Sequence, residues 1–122
     1  MNSQDIKRLR RLRRRFLELV DAAKAAGGIR GRSLADILEN NGDFIDCLES
    51  LPGMTSADKL AINLGADLAN GGYITRQDVR KHREEREGLD FYIYTVTAKG
   101  TALLQEAIAP DAFIEDARFP IE

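Results

Sequence analysis

The sequence predicts an α+β protein that is mainly helical, in the order helix, helix, helix, β-hairpin, helix. Apolar residues recur at helical spacing in several stretches before residue 72. Aromatic and β-branched residues then flank a charged stretch, at 73–74 and again at 92–96. Helical spacing returns after Thr97, whose hydroxyl can cap a helix, and continues until Pro110.

The chain of 122 residues is expected to form one domain over 1–122, because 43% apolar residues suit one modest core. No stretch approaches the roughly 18 apolar residues of a membrane span, and no apolar segment follows the basic N-terminus. The lone Cys47 is expected to be a buried thiol in a reducing cytoplasm.

Neither catalysis nor a cofactor is expected from the reactive side chains of this sequence. The single histidine, His82, has no second histidine or cysteine at ligand spacing, so no metal site is predicted. One histidine and one cysteine also form no evident nucleophile and base pair. A binding protein is therefore favoured over an enzyme.

The net charge of −2 hides an uneven distribution along the chain. Residues 1–32 carry ten Lys and Arg against three Asp and Glu, whereas residues 33–75 carry one base against seven acids. The acidic part would repel a phosphate backbone unless it faces away from it.

The first helix is predicted over 1–28, with Ser3 or Asp5 as its cap and Gly27-Gly28 as its end. Its apolar stripe consists of Leu9, Leu12, Phe16, Leu19, Val20 and Ala23. Opposite lie Lys7 and the candidate nucleic-acid contacts Arg10, Arg11 and Arg14, with Arg8, Arg13 and Arg15 on the flanks. The basic face has other interpretations: neutralisation by acids of the same molecule, an acidic protein partner, or a membrane surface.

Residues 29–72 predict a helical core. The stretch before Pro52-Gly53 reads as one or two short helices, with Ser33 and Asp36 as a capping box. A further helix over 56–70 is capped by Thr55 or Ser56. Its predicted buried stripe is Ala57, Leu60, Ala61, Leu64 and Leu68, and Gly65 at the edge would allow a neighbour to pack closely.

Residues 73–97 are interpreted as a β-hairpin with a charged, mobile tip around 83–89. The competing interpretation is a helix over 75–87, but that helix would have only Val79 as an inward residue. A helix over 98–109 follows the hairpin. The tail over 110–122 contains Phe113, Ile114, Phe119 and Ile121, so it is expected to pack on the domain or across a dimer.

Two stretches carry a family resemblance: "ADLANGGYI" at 66–74 and "YTVTAKGTALL" at 94–104. With the order of elements, they resemble the winged helix-turn-helix superfamily and, more loosely, small winged-helix-like proteins of Mu-like prophages. In that superfamily a leucine and glycine turn precedes an aromatic and aliphatic strand, as at Leu68, Gly71, Gly72, Tyr73 and Ile74. The second wing strand runs into a Thr-x-Lys-Gly helix start, as at Thr97, Lys99 and Gly100.

This resemblance implies a DNA-binding protein, acting as a transcriptional regulator or an accessory phage-type factor. The helix over 56–70 would be the recognition helix, and the wing over 73–97 would contact phosphate. Together with the arginines of the first helix, the implied DNA contacts are Ser56, Lys59, Asn63, Arg76, Arg80, Lys81, Arg83 and Arg86.

The outward face of the implied recognition helix is poorly suited to reading bases. Lys59, Ile62, Asn63, Ala66 and Asp67 supply one cation, one amide, two apolar side chains and one acid. The alternative is therefore a winged-helix scaffold for protein–protein contact. Its partner-binding residues would be Ile62, Ala66, Phe113 and Phe119, and the first helix and the tail are candidates for a homodimer interface.

Overall fold

The structure is a computed structural model that describes residues 2–54, 56–82, 84–86 and 88–110. Its described part is α+β and mainly helical, as the sequence predicts. The elements are α1 (Ser3–Ala22), β1 (Ile29–Arg30), α2 (Gly31–Leu38), α3 (Gly42–Ser50), α4 (Ala57–Asn70), β2 (Ile74–Asp78), β3 (Tyr92–Val96) and α5 (Ala98–Leu104). Short 3-10 turns lie at Lys24–Ala26 and Leu89–Phe91.

The three strands form one antiparallel sheet in the order β1-β3-β2. Strands β2 and β3 pair from Ile74 opposite Val96 to Asp78 opposite Tyr92. The stretch after residue 74 is therefore a hairpin strand, and the competing helix over 75–87 is wrong. With Val79 as its only inward residue, a helix there would have almost no apolar surface to bury, whereas pairing with β3 satisfies the backbone.

Strand β1 is an element that the sequence does not predict. It has only two residues, too few for an alternating pattern, and it depends on β3, where Ile29 pairs with Tyr94. Gly28 lets the chain approach β3 closely. Its φ is 127°, and a Cβ there would lie 2.7 Å from the Tyr94 carbonyl oxygen.

The core forms between the sheet and helices α1 and α4, and α2 and α3 add Leu34 and Phe44 to it. Four stripe residues of α1 are fully buried: Leu9, Leu12, Phe16 and Val20. The Phe16 ring meets the Tyr94 ring of β3 edge to face, with 5.3 Å between centroids. On α4 the predicted stripe is buried from Leu60 to Leu68, and Ala57 is half-buried at its start.

The two stretches that carry the resemblance are bonded to each other. Thr97 Oγ1 donates to the Gly72 carbonyl oxygen at 2.6 Å, and Lys99 Nζ donates to the Gly71 carbonyl oxygen at 2.6 Å. A Cβ at Gly100 would overlap the carbonyl oxygen of Tyr73. The end of α4 and the start of α5 are therefore held together by these contacts. The Thr hydroxyl, the Lys ammonium and the absence of a side chain at Gly each have a role in them.

Two helix caps are as predicted. Ser56 Oγ accepts from Lys59 N at 3.1 Å, and Thr97 Oγ1 accepts from Gly100 N at 3.2 Å. The cap of α1 is different, since Asn2 accepts from Asp5 N at 2.9 Å and the helix ends at Ala22.

The predicted capping box of Ser33 and Asp36 is wrong. Helix α2 begins at Gly31 directly after β1, so Ser33 already lies inside the helix. The next helix is separate, and Asn41 caps it by accepting from Asp43 N at 2.9 Å. The stretch before Pro52 therefore contains two helices.

Helix α5 ends at Leu104, earlier than the predicted residue 109. Glu106 has a φ of 59°, and Ala107 N donates to the Ala102 carbonyl oxygen at 2.8 Å. This is the hydrogen-bond pattern that closes a helix with a left-handed residue. As a consequence Ile108 is 37% exposed and does not extend the helical stripe.

Candidate nucleic-acid interface

A groove of about 540 Å³ lies between the N-terminal half of α4 and the loop that connects β2 to β3. Helix α4 and its cap contribute Ser56, Asp58, Lys59, Ile62 and Asn63. The hairpin contributes Arg86 and residues 88–91, and α2 contributes Arg32. The groove therefore brings together four of the implied DNA contacts: Ser56, Lys59, Asn63 and Arg86.

The polar side chains of α4 lean towards the turn that precedes the helix. Lys59 is exposed, and its Nζ donates to the Gly53 carbonyl oxygen at 2.8 Å. Asn63 is half-buried, with its Nδ2 at 3.9 Å from Met54 Sδ. Both side chains can present donors to a ligand in the groove.

Arg32 bridges both walls of the groove. Its Nη1 and Nη2 donate to the Asp58 carboxylate of α4 at 2.9 and 2.7 Å, and its Nε donates to Asp90 Oδ1 at 2.8 Å. The guanidinium holds the pKa of Asp58 below its usual value through these hydrogen bonds. Two carboxylates that would repel phosphate are thereby neutralised in part, and Lys59 and Arg86 add further positive charge.

Sequence reasoning did not identify Arg32 as a functional residue. Its partners lie 26 and 58 residues further along the chain, so no local pattern links the three side chains.

The other hairpin cations differ in their surroundings. The Arg76 guanidinium stacks over the Tyr92 ring at 4.4 Å from its centroid. Arg80 binds Asp78 at 2.9 Å and donates to the Glu85 carbonyl oxygen at 2.8 Å. Lys81 is exposed. Arg83 lies outside the described residues.

The arginines of α1 are separate from this groove. Arg11 makes a bidentate pair with Asp43 of α3, with 2.8 Å in both hydrogen bonds, and Arg8 lies between Asp5 and Asp46. Arg10 and Arg14 are exposed but face α5. Neutralisation by acids of the same molecule is thus observed for part of the basic face.

Two positions on the helix faces were wrongly assigned. Arg13, expected on the flank of α1, is fully buried, and its Nη2 lies 2.7 Å from Asp67 Oδ2 of α4. Asp67, expected on the outward face, therefore points to α1. The sequence spacing could have indicated the position of Asp67, because Asp67 follows Leu60 by two helical turns and therefore lies on the same, buried side of α4.

Two of the four residues predicted to contact a protein partner lie in the described part of the chain, and both are only partly accessible. Ile62 and Ala66 are half-buried, and Ile62 packs against the core. Phe113 and Phe119 lie outside the described residues.

Comparison of the chain with protein-family models, curated proteins and solved structures yields no match. Among the residues that the structure describes, no helix is both long and apolar enough to span a bilayer.

Proposed function

We propose that this chain binds duplex DNA as a winged-helix protein, with α4 as the recognition helix and the hairpin as the wing. The observation that carries the proposal is the groove that collects Lys59, Asn63 and Arg86 between these two elements. The order of elements supports it, because a helix that leads directly into an antiparallel hairpin can place both against one duplex.

The chemistry of this groove favours contact with phosphate over extensive base reading. Lys59 and Arg86 would each neutralise a phosphate. Arg76 and Lys81 on the hairpin would add to this electrostatic part of the binding free energy. Asn63 is the amide that α4 contributes to the groove, and it can pair with adenine in the major groove. Affinity would then depend strongly on salt, with modest sequence selectivity. A transcriptional regulator or an accessory phage-type factor fits this profile.

The test is fluorescence anisotropy of a labelled random duplex, titrated with protein from low to physiological salt. The parent chain should bind at low salt and weaken steeply as salt rises. Replacing Lys59 and Arg86 together, Lys59→Gln with Arg86→Gln, should lower the log–log salt slope by about 1.8, at about 0.9 for each phosphate contact.

A matched control removes the same charge away from the groove. Lys7→Gln with Arg15→Gln changes two exposed basic residues of α1 that are not among the implied DNA contacts, and it should leave the slope as in the parent chain. Absence of binding at low salt would refute the proposal, as would equal weakening by both pairs of substitutions.

A second candidate function is a winged-helix scaffold that binds a protein. It is favoured by the pairing of Arg8, Arg11 and Arg13 with carboxylates, which uses charge that would otherwise attract DNA. The same titration separates the two candidates, because a scaffold of this kind would leave the duplex anisotropy unchanged even at low salt.

A further inference from the structure

We infer that Arg32 is a positioning residue of the proposed DNA interface. From the start of α2 it ties the hairpin segment 88–91 to the start of α4, without contacting the duplex itself. The inference rests on the proposed function, because the two elements that Arg32 ties together carry the cations proposed to bind phosphate. It goes further by giving a role to a side chain that neither reads bases nor binds phosphate.

The hydrogen bonds of Arg32 join three elements at one guanidinium. Nη1 and Nη2 donate to the Asp58 carboxylate of α4 at 2.9 and 2.7 Å, and Nε donates to Asp90 Oδ1 of the hairpin at 2.8 Å. Hydrogen bonds with Asp58 and then with Asp90 raise the pKa of Arg32. Two parallel N–H···O bonds to one carboxylate restrain its orientation as well as its distance, so this bridge restrains the two walls of the groove relative to each other.

Apolar packing seats the segment 88–91 on α2 beside the bridge. Leu89 is buried, with 1% of its surface exposed. A Cβ at Gly31 would lie 2.8 Å from both the Cδ2 and the carbonyl oxygen of Leu89, so the two residues are in direct contact. Because Arg32 follows Gly31 in the chain, its side chain extends this contact from α2 to α4.

The cations proposed to bind phosphate are close in sequence to the two carboxylates. Lys59 follows Asp58 in the first turn of α4, and Arg86 precedes Asp90 by four residues. A bridge that restrains Asp58 and Asp90 therefore restrains the spacing of Lys59 and Arg86. Duplex phosphates are regularly spaced, so two cations that are already held in place lose less conformational freedom on binding.

The local charge argues against a direct phosphate contact by Arg32. Its guanidinium lies between two carboxylates, so the three side chains together do not attract an anion. The side chains of Arg32 and Asp58 are 37% and 46% exposed, and ion pairs at that exposure add little to global stability. Loss of the bridge should therefore weaken DNA binding more than it weakens the fold.

The experiment removes the bridge without changing the net charge. Arg32→Gln with Asp58→Asn takes away one positive and one negative charge, so the total charge of the groove stays the same. In fluorescence anisotropy with a labelled random duplex, the dissociation constant at low salt should rise severalfold. The log–log salt slope should stay as in the parent chain, because Lys59 and Arg86 are both still present.

A second measurement on the same variant needs no DNA. Val79 N donates to the Phe91 carbonyl oxygen at 2.8 Å, and Phe91 N donates to the Gly88 carbonyl oxygen at 3.0 Å. Hydrogen exchange of these two amides should be severalfold faster in the variant, because the segment 88–91 has lost its tie to α4.

The matched control is Arg15→Gln with Glu18→Gln. It removes an exposed ion pair of α1 at unchanged net charge, and it should leave both binding and exchange as in the parent chain. Circular dichroism checks that each variant keeps its helices. If Arg32→Gln with Asp58→Asn fails to fold, Arg32→Gln with Asp90→Asn removes the bridge at the same net charge.

Three results would overturn the inference while the parent chain still binds the duplex. The first is a variant that binds as tightly as the parent chain, or whose two amides exchange no faster. The second is a salt slope that falls by about 0.9, which would make Arg32 itself a phosphate contact. The third is equal weakening by the control pair. A parent chain that does not bind at low salt refutes the proposed function, and this inference with it.

Discussion

The Arg13 guanidinium of α1 and the Asp67 carboxylate of α4 form a buried ion pair, with 2.7 Å between Nη2 and Oδ2. The side chains are 1% and 13% exposed. Such a pair must fit closely, because both charges lose most of their hydration when the helices pack. The pair therefore links α1 to α4, the candidate recognition helix.

Removing Asp67 should destabilise the fold strongly. In the Asp67→Ala variant the buried guanidinium loses this carboxylate, and the free energy of unfolding should fall by about 3 kcal/mol or more. Urea denaturation followed by circular dichroism measures it. Glu18→Ala is the control, since Glu18 pairs with Arg15 at the surface at 3.9 Å and should change stability by less than about 0.5 kcal/mol.

An apolar replacement of both partners should recover much of this loss. Arg13→Met with Asp67→Leu removes the two charges together, so no buried guanidinium remains. If the double variant is as unstable as Asp67→Ala alone, the loss comes from packing and not from the isolated charge.

Replacing Gly65 should disturb the contact between α4 and β3. A Cβ at this position would lie 2.8 Å from the ring of the buried Tyr94, so Gly65→Ala should cost about 1–3 kcal/mol by overpacking. Gly42→Ala, in the first turn of α3, is the control, because nothing lies within 4 Å of its Cβ. Thermal unfolding of both variants decides the question, and equal melting temperatures would contradict this packing.

Acid should weaken the fold through Asp5. The Ser50 hydroxyl donates to Asp5 Oδ1 at 2.7 Å and, more than Asn2 or Arg8, holds the pKa of this carboxyl below its usual value. The unfolded chain therefore takes up the proton first, near pH 4. The stabilisation is complete above about pH 4 and is lost as the pH falls through the lowered pKa.

The measurement is the free energy of unfolding across the acidic range. Asp5→Asn should flatten its decline below about pH 4, and Ser50→Ala should flatten it in part. If the free energy of unfolding of Asp5→Asn declines as steeply as that of the parent chain, the acid sensitivity comes from other carboxylates.

A rise in pH should lower the stability of the fold through Cys47, a buried free thiol. Burial raises the pKa of this thiol to about 11, whereas an unfolded cysteine titrates near about 8.5. Its contribution to stability is complete below about pH 8.5 and is lost as the pH rises towards 11. A thiol reagent at about pH 8 should therefore react slowly with the native chain and rapidly in urea. Equal rates would show that the thiol is accessible.

Local pattern predicted the elements whose stabilising contacts are close in sequence. The stripe of α1, the cap at Ser56 and the cap at Thr97 depend on residues within one or two turns. The same reasoning failed where a distant segment decides. Helix α2 starts at Gly31 because β1 pairs with β3. The early end of α5 has a local cause, a left-handed turn at Glu106, but glutamate is not a residue type that indicates such a turn.

In the candidate site too, some residues were predicted from local pattern and others depend on distant contacts. Lys59, Asn63 and Arg86 were identified from their type and their place on predicted elements, and the structure brings them to one groove. Arg32 was missed, and the arginines of α1 were expected near DNA although they face α3 and α5. A charged residue pairs with whatever the fold brings near it, and the periodic pattern of one helix does not contain that information.

The sequence by itself determined the amphipathic helices and the two strands of the hairpin, because apolar periodicity, residue type and capping act locally. Only the tertiary structure decided which charges remain exposed. The partners of Arg13 and Arg32 lie 54, 26 and 58 residues away, and they meet only when α1, α2, α4 and the hairpin pack together. Ion pairing depends on the distance between charges in space, and that distance is set by packing of the whole chain.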